Sequence, residues 1–114
     1  MINSGQKGKR YERAIAKKIN KFLGTNLRRT PNSGGLSLKG DILEINPASP
    51  VFEFHFELKN QKSLHLPKWW KQTLDDCPVS KTPMLVFRMS GEDMVVLGLN
   101  DWLGLVYDAH GDGE

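Results

Sequence analysis

The sequence predicts an α/β domain, α+β in detail, with a central mixed β-sheet flanked by helices. Three observations predict it. Residues 5–23 carry apolar side chains at helical spacing. Residues 51–59 alternate apolar and polar positions, as a half-covered strand does. After them, a second helical stretch and short apolar runs follow one another, separated by turn residues.

In the first helix, Tyr11, Ile15, Ile19, Phe22 and Leu23 carry the apolar stripe, and Gly24 stands where a helix ends. Residues 31–40, rich in Gly and Ser, read as a flexible loop, and 41–46 as a strand. Asn46-Pro47-Ala48-Ser49-Pro50 is a turn. The strand at 51–59 puts Phe52, Phe54, Phe56 and Leu58 on one face and Glu53, His55, Glu57 and Lys59 on the other. Pro67 suits the first turn of a helix to about Cys77, with Pro78 just beyond. Strands are expected at 83–89 and 94–99, joined by a turn at 90–93. Asn100 is placed to cap a short helix through Trp102 and Leu103. The 114 residues are read as a single domain, with a disordered tail from about residue 109.

No apolar run approaches the ~20 residues needed to span a bilayer, and the N-terminus has no apolar core of a secretion signal. One cysteine, Cys77, excludes an internal disulfide framework or a cysteine zinc cluster. A reducing, cytoplasmic setting without membrane attachment is expected. The net charge of +3 is unevenly spread: residues 1–40 hold ten Lys or Arg and one acid, whereas 92–114 hold six acids and no Lys or Arg. A basic N-terminal third suits an anionic partner, nucleic acid first, although a solvated basic helix has the same composition.

Asp41 opens a strand directly after the glycine-rich loop, and a short turn brings the chain back into the Glu57 strand. Neighbouring strands lie ~4.8 Å apart, so Asp41 and Glu57 come within reach of one ion. Two adjacent carboxylates are costly unless a cation sits between them, and hard oxygen donors suit Mg²⁺ or Mn²⁺. The main-chain carbonyl of Leu58 is a further candidate ligand, and Lys59 would stand beside the ion. Alone, Glu57 and Lys59 also read as a surface ion pair of little consequence. Glu12 adds weight: at 100° per residue, Ile15, Ala16, Ile19 and Leu23 project within about 60° of it. A carboxylate in a core-facing stripe needs a partner. A solvated place in the first turn of the helix is the alternative.

The order helix-Glu12, then Gly40-Asp41, then Glu57-Leu58-Lys59 resembles the PD-(D/E)xK nuclease superfamily, with Gly40 in place of the motif's Pro. The stretch from Gly8 to Ala16 and the segment Arg28-Arg29-Thr30-Pro31-Asn32-Ser33-Gly34-Gly35 resemble the archaeal-type Holliday junction resolvases. That resemblance covers roughly residues 5–90. It implies a restriction-endonuclease-like core, a homodimer and Mg²⁺-dependent hydrolysis of phosphodiesters in DNA, four-way junctions first. It implies that Asp41 and Glu57 bind metal, Glu12 does so directly or through water, and Lys59 assists catalysis. Ser33 would contact the phosphate backbone, and Lys9, Arg10, Arg13, Arg28 and Arg29 would hold DNA. Competing readings are a nuclease of the same fold acting on nicks, flaps or specific sites, a non-catalytic DNA-binding module, and an adaptor for an acidic protein.

Several residues are set aside. His55 reads as a surface or packing residue. Cys77 reads as a buried thiol. Of Trp69 and Trp70, one is expected to pack on the sheet, and the other to fill an interface or stack on a base. Gln72 lies in the helix after the Glu-x-Lys strand.

Overall fold

The computed structural model describes residues 4–31 and 40–111. Helix α1 (Ser4–Leu23) ends as expected at Gly24, whose φ of 69° suits a residue without a side chain. Five strands form one sheet in sequence order: β1 (Arg28–Arg29), β2 (Ile42–Leu43), β3 (Phe54–Lys59), β4 (Thr82–Met89) and β5 (Glu92–Val96). Helix α2 (Leu66–Asp76) connects β3 to β4, and this is the sheet's parallel pair; all other neighbours are antiparallel. Helix α3 (Leu99–His110) ends the described chain. The mixed sheet with flanking helices is the α+β, restriction-endonuclease-like arrangement.

A helix covers each face of the sheet. On one face, Tyr11, Ile15 and Ala16 of α1 pack on Ile42, Phe56, Leu58 and Val86. On the other, Trp69 of α2 packs on Leu85 and Phe87, with Trp70 half-buried beside them. Trp69 is therefore the tryptophan that packs on the sheet, and Trp70 packs beside it with part of its surface exposed. Leu85 and Phe56 are almost completely buried, each stabilising the fold by about 1.5–3 kcal/mol.

Four elements differ from expectation in their bounds, each for a local reason. Strand β3 starts at Phe54, because tight turns occupy the preceding residues and the Lys81 ammonium sits 3.5 Å over the Phe52 ring. Strand β2 is short because the Glu44 carboxylate turns back to accept the amides of Asn26 (3.0 Å) and Asn46 (3.2 Å). These bonds hold the Glu44 carboxyl below its ordinary value. Strand β5 starts at Glu92 because Ser90 (φ 53°) and Gly91 (φ 80°) make a two-residue hairpin turn. Helix α3 starts at Leu99 behind Gly98, so Asn100 is inside it and not its cap. It runs to His110, past the point where a tail was expected. Residues 112–114 of that expected tail lie outside the described residues, as do residues 32–39 of the expected loop, Ser33 among them. No helix among the described residues is long and apolar enough to cross a membrane.

Candidate active site

Asp41 is fixed from both sides. Its N–H donates to the Phe56 carbonyl at 2.7 Å, and its carbonyl accepts the Thr30 N–H at 3.0 Å. Ile42 stands opposite Phe56, and Asp41, just before β2, is held against the strand that carries Glu57. The Asp41 side chain enters the backbone bonding itself: Oδ2 accepts the Leu58 N–H at 2.7 Å. Gly40 makes this approach possible. Its φ is 88°, and a Cβ there would lie 3.1 Å from the Phe56 carbonyl oxygen and 3.4 Å from His55 Nδ1. A proline, held near φ −65°, does not fit that backbone, which explains why Gly40 stands where the motif has Pro.

The electrostatics follow from this placement. Burial pushes the Asp41 carboxyl up to about 6, and the Glu57 charge adds to the push. The Leu58 N–H opposes them, Glu12 raises the value further, and Lys59 lowers it. The carboxylate oxygens therefore sit in a site that is short of positive charge. That is the condition a bound cation relieves.

Glu57 lies on the sheet face opposite Phe56 and Leu58, and that face is not wet. Glu57 is 5% exposed, and His55 beside it is 2% exposed. His55 Nε2 and Glu57 Oε2 are 3.0 Å apart. His55 thus orients the carboxylate of the Glu-x-Lys strand, a role that the strand's alternation did not reveal. Period two tells which residues share a face but not that α2 covers it.

Glu12, Asp41, Leu58 and Lys59 line one cleft of about 450 Å³, together with Lys7 and Lys62. Glu12 faces inward, as its stripe position predicts, and Arg29 is its partner: Nε donates to Oε1 at 2.8 Å. Arg29 is thereby drawn into the protein, whereas Lys9, Arg10, Arg13 and Arg28 are exposed. Among the described residues, no three acid, His or Cys groups stand close enough to hold a cation by themselves. The carboxylates of Asp41 and Glu12 in the cleft, with Glu57 on the adjoining strand, are oxygen donors of the kind a hard divalent ion takes together with water.

Two basic grooves flank α1. One, of about 490 Å³, is lined by Lys7, Arg10, Tyr11, Lys18 and Arg88 and shares Lys7 and Asn60 with the cleft. At its floor Asp93 accepts from the Tyr11 hydroxyl (3.0 Å), Lys18 (3.3 Å) and Arg88 (2.9 Å), tying the β4–β5 hairpin to α1. Burial alone would raise the Asp93 carboxyl, but these three donors hold it below its ordinary value. The Tyr11 phenol is pushed up by burial and by Asp93. The other groove, of about 760 Å³, is lined by Arg13, Lys17, Lys21, Arg28 and Arg29. Arg88 was not foreseen, because only the fold brings the hairpin to α1. Gln72 is exposed on α2 and takes no part in the cleft. Cys77 is half-buried rather than buried, and burial raises its thiol.

No curated protein and no solved structure was found to match the chain. A family model described as "Phage putative PDDEXK endonuclease" matches residues 3–109. With that match spanning nearly the whole length, and Asp41 hydrogen-bonded to Phe56 and Leu58 on either side of Glu57 in the Glu-x-Lys strand, the chain belongs to this family of the PD-(D/E)xK nuclease superfamily.

Proposed function

We propose that the protein is a structure-selective DNA endonuclease that hydrolyses phosphodiester bonds with Mg²⁺, works as a homodimer in the cytoplasm, and takes four-way junctions as its first substrate. The observation that carries the nuclease reading is Asp41, half-buried and bonded to Leu58 beside the buried Glu57, in a cleft that also holds Glu12, Lys59, Lys7 and Lys62. Asp41, Glu57 and the Leu58 carbonyl would hold the ion, with Glu12 reaching it through water. When bound, it supplies Lewis-acid polarisation of the scissile phosphate.

The chain's own residues do the rest. The Leu58 N–H pins one oxygen of Asp41 and leaves the other for a ligand. His55 holds Glu57 in place from behind. Lys59 brings positive charge to the phosphate and orients the attacking water. Lys9, Arg10, Arg13 and Arg28 meet the DNA backbone, and Ser33 contacts it near the cut. Basic grooves on both flanks of α1 favour a branched substrate, since each offers cations to a separate duplex arm. A nuclease of the same fold acting on nicks, flaps or specific sites is the second reading, favoured by the match to a phage endonuclease family.

Asp41→Asn and Glu57→Gln separate an enzyme from a DNA-binding module. Each variant is expected to lose cleavage in Mg²⁺ by at least about a hundredfold while junction affinity stays within a fewfold. Cleavage by both variants at the wild-type rate would rule out this site. Four-way junctions, flaps, nicked and linear duplexes compared at one salt concentration test the substrate. Equal rates on all of them would remove junction selectivity and leave the nuclease.

A further inference from the structure

Helix α3 is anomalous. All twelve of its residues are exposed, although half of them are large and apolar. Leu99 is 69% exposed, Trp102 50%, Leu103 49%, Val106 39% and Tyr107 67%. At 100° per residue these five side chains fall on one face about 140° wide. Asp101 and Asp108 lie on the opposite side. No strand or helix among the described residues covers that face. The radius of gyration, 14.7 Å, exceeds the ~13 Å expected for a compact domain of this length, as a projecting helix requires.

The chemistry of α3 narrows its occupant. It holds two acids and no Lys or Arg, so phosphates gain nothing from it. A helix lying on an anionic membrane carries Lys and Arg along its polar face; this one carries aspartates. A protein surface remains, and a two-fold interface needs a patch complementary to itself. The α3 stripe meets that condition. An antiparallel pair crossing near residues 104–105 sets Trp102 of one copy against Val106 of the other, and Leu99 against Ala109. Large side chains then meet small ones at each level. Asp101 and Asp108 of both copies point away from the seam, so pairing brings no like charges together.

One helix of this length spans about 18 Å, short of the ~800 Å² per partner that a standard interface buries. A contact of this size suits a weak dimer that forms at micromolar concentrations. We infer that α3 is an association helix, and that its Leu99–Trp102–Leu103–Val106 stripe docks on the same stripe of a second copy of this chain. The inference gives the homodimer proposed above its contact surface, yet it stands on α3 alone and not on the metal site.

Sedimentation equilibrium of the full chain tests it. At tens of micromolar the expected mass is twice the chain's 12.9 kDa. Leu103→Glu with Val106→Glu is expected to weaken association at least about a hundredfold and give a monomer. The variant should still unfold in a cooperative thermal transition, because no strand or helix among the described residues covers the stripe and the sheet core does not depend on it. Asp108→Asn, on the far side of the helix, should leave the dimer intact. A monomeric wild type, or a stripe variant that stays dimeric, would overturn the inference. A monomer that still cleaves DNA would do so without touching the nuclease reading, and a dimer that cleaves nothing would remove that reading and keep this one.

Discussion

Asp41 concentrates the conflict between stability and chemistry in one side chain. Its carboxyl is pushed from 3.8 up to about 6, first by burial and then by Glu57. For an acid, a raised value in the folded state means that folding takes up a proton. Above pH 6 the charged form therefore costs stability, about 2–3 kcal/mol after allowance for partial solvent access. That cost shrinks as the pH falls through 6 and is gone below the unfolded value of 3.8. This group alone makes the metal-free protein more stable at pH 5 than at pH 7.5. Asp41→Asn removes the charge but keeps an oxygen for the Leu58 N–H. The metal-free variant should thus melt at least ~5 °C above the wild type at pH 7.5, with the gain shrinking by pH 5. Mg²⁺ should raise the wild-type midpoint and leave the variant's unchanged. Scanning calorimetry at the two pH values, with and without Mg²⁺, measures all four quantities. A variant that melts lower than the wild type at pH 7.5 would show that the site carries no such cost.

At the scale of elements, the site depends on how β2 enters the sheet. Gly40 turns the chain at φ 88°, with Phe56 backbone 3.1 Å from where a Cβ would stand. Gly40→Ala is expected to cost about 1–3 kcal/mol, and Gly40→Pro more, read as a drop in urea midpoint. Cleavage should fall further than stability does, since any shift of Gly40 moves Asp41 away from Leu58. Unchanged stability in Gly40→Ala would mean that the turn is softer than its contacts indicate. Much of this framework was legible in the residues. The α1 stripe, the β3 alternation and the Pro67 start of α2 each carry a period or a stop signal that local geometry obeys. Other elements were not legible. Strand β1 is two arginines, and only its pairing with Leu43 and Ile42 makes it a strand. Helix α3 was read too short because its apolar residues match nothing nearby in the chain. The burial of His55 and Glu57 depends on α2 crossing over them, which no local pattern encodes.

Across the whole molecule, the basic residues of the N-terminal third do not act as one block. Arg10 lines the groove shared with the hairpin, Arg13 and Arg28 line the opposite groove, and Arg29 is spent on Glu12 at 2.8 Å. A phosphate contact releases about one counterion, so removing it lowers the salt slope of binding by about 1. Asp41→Asn is the variant expected to bind without cutting, and four-way junctions offer an arm to each groove. In that background Arg10→Ala, Arg13→Ala and Arg28→Ala should each reduce the slope of log affinity against log salt by about 1. Arg29→Ala should change it much less, because its charge is already balanced by Glu12 and its loss exposes an acid to the DNA. Arg10→Ala and Arg13→Ala together should reduce the slope by about 2, the sum expected when the two grooves take separate arms and distant contacts add. A linear duplex, which fills one groove at a time, should respond to only one of the two. If the double variant lowers the slope on the linear duplex as much as on the junction, both grooves lie along a single duplex and α1 does not divide the arms.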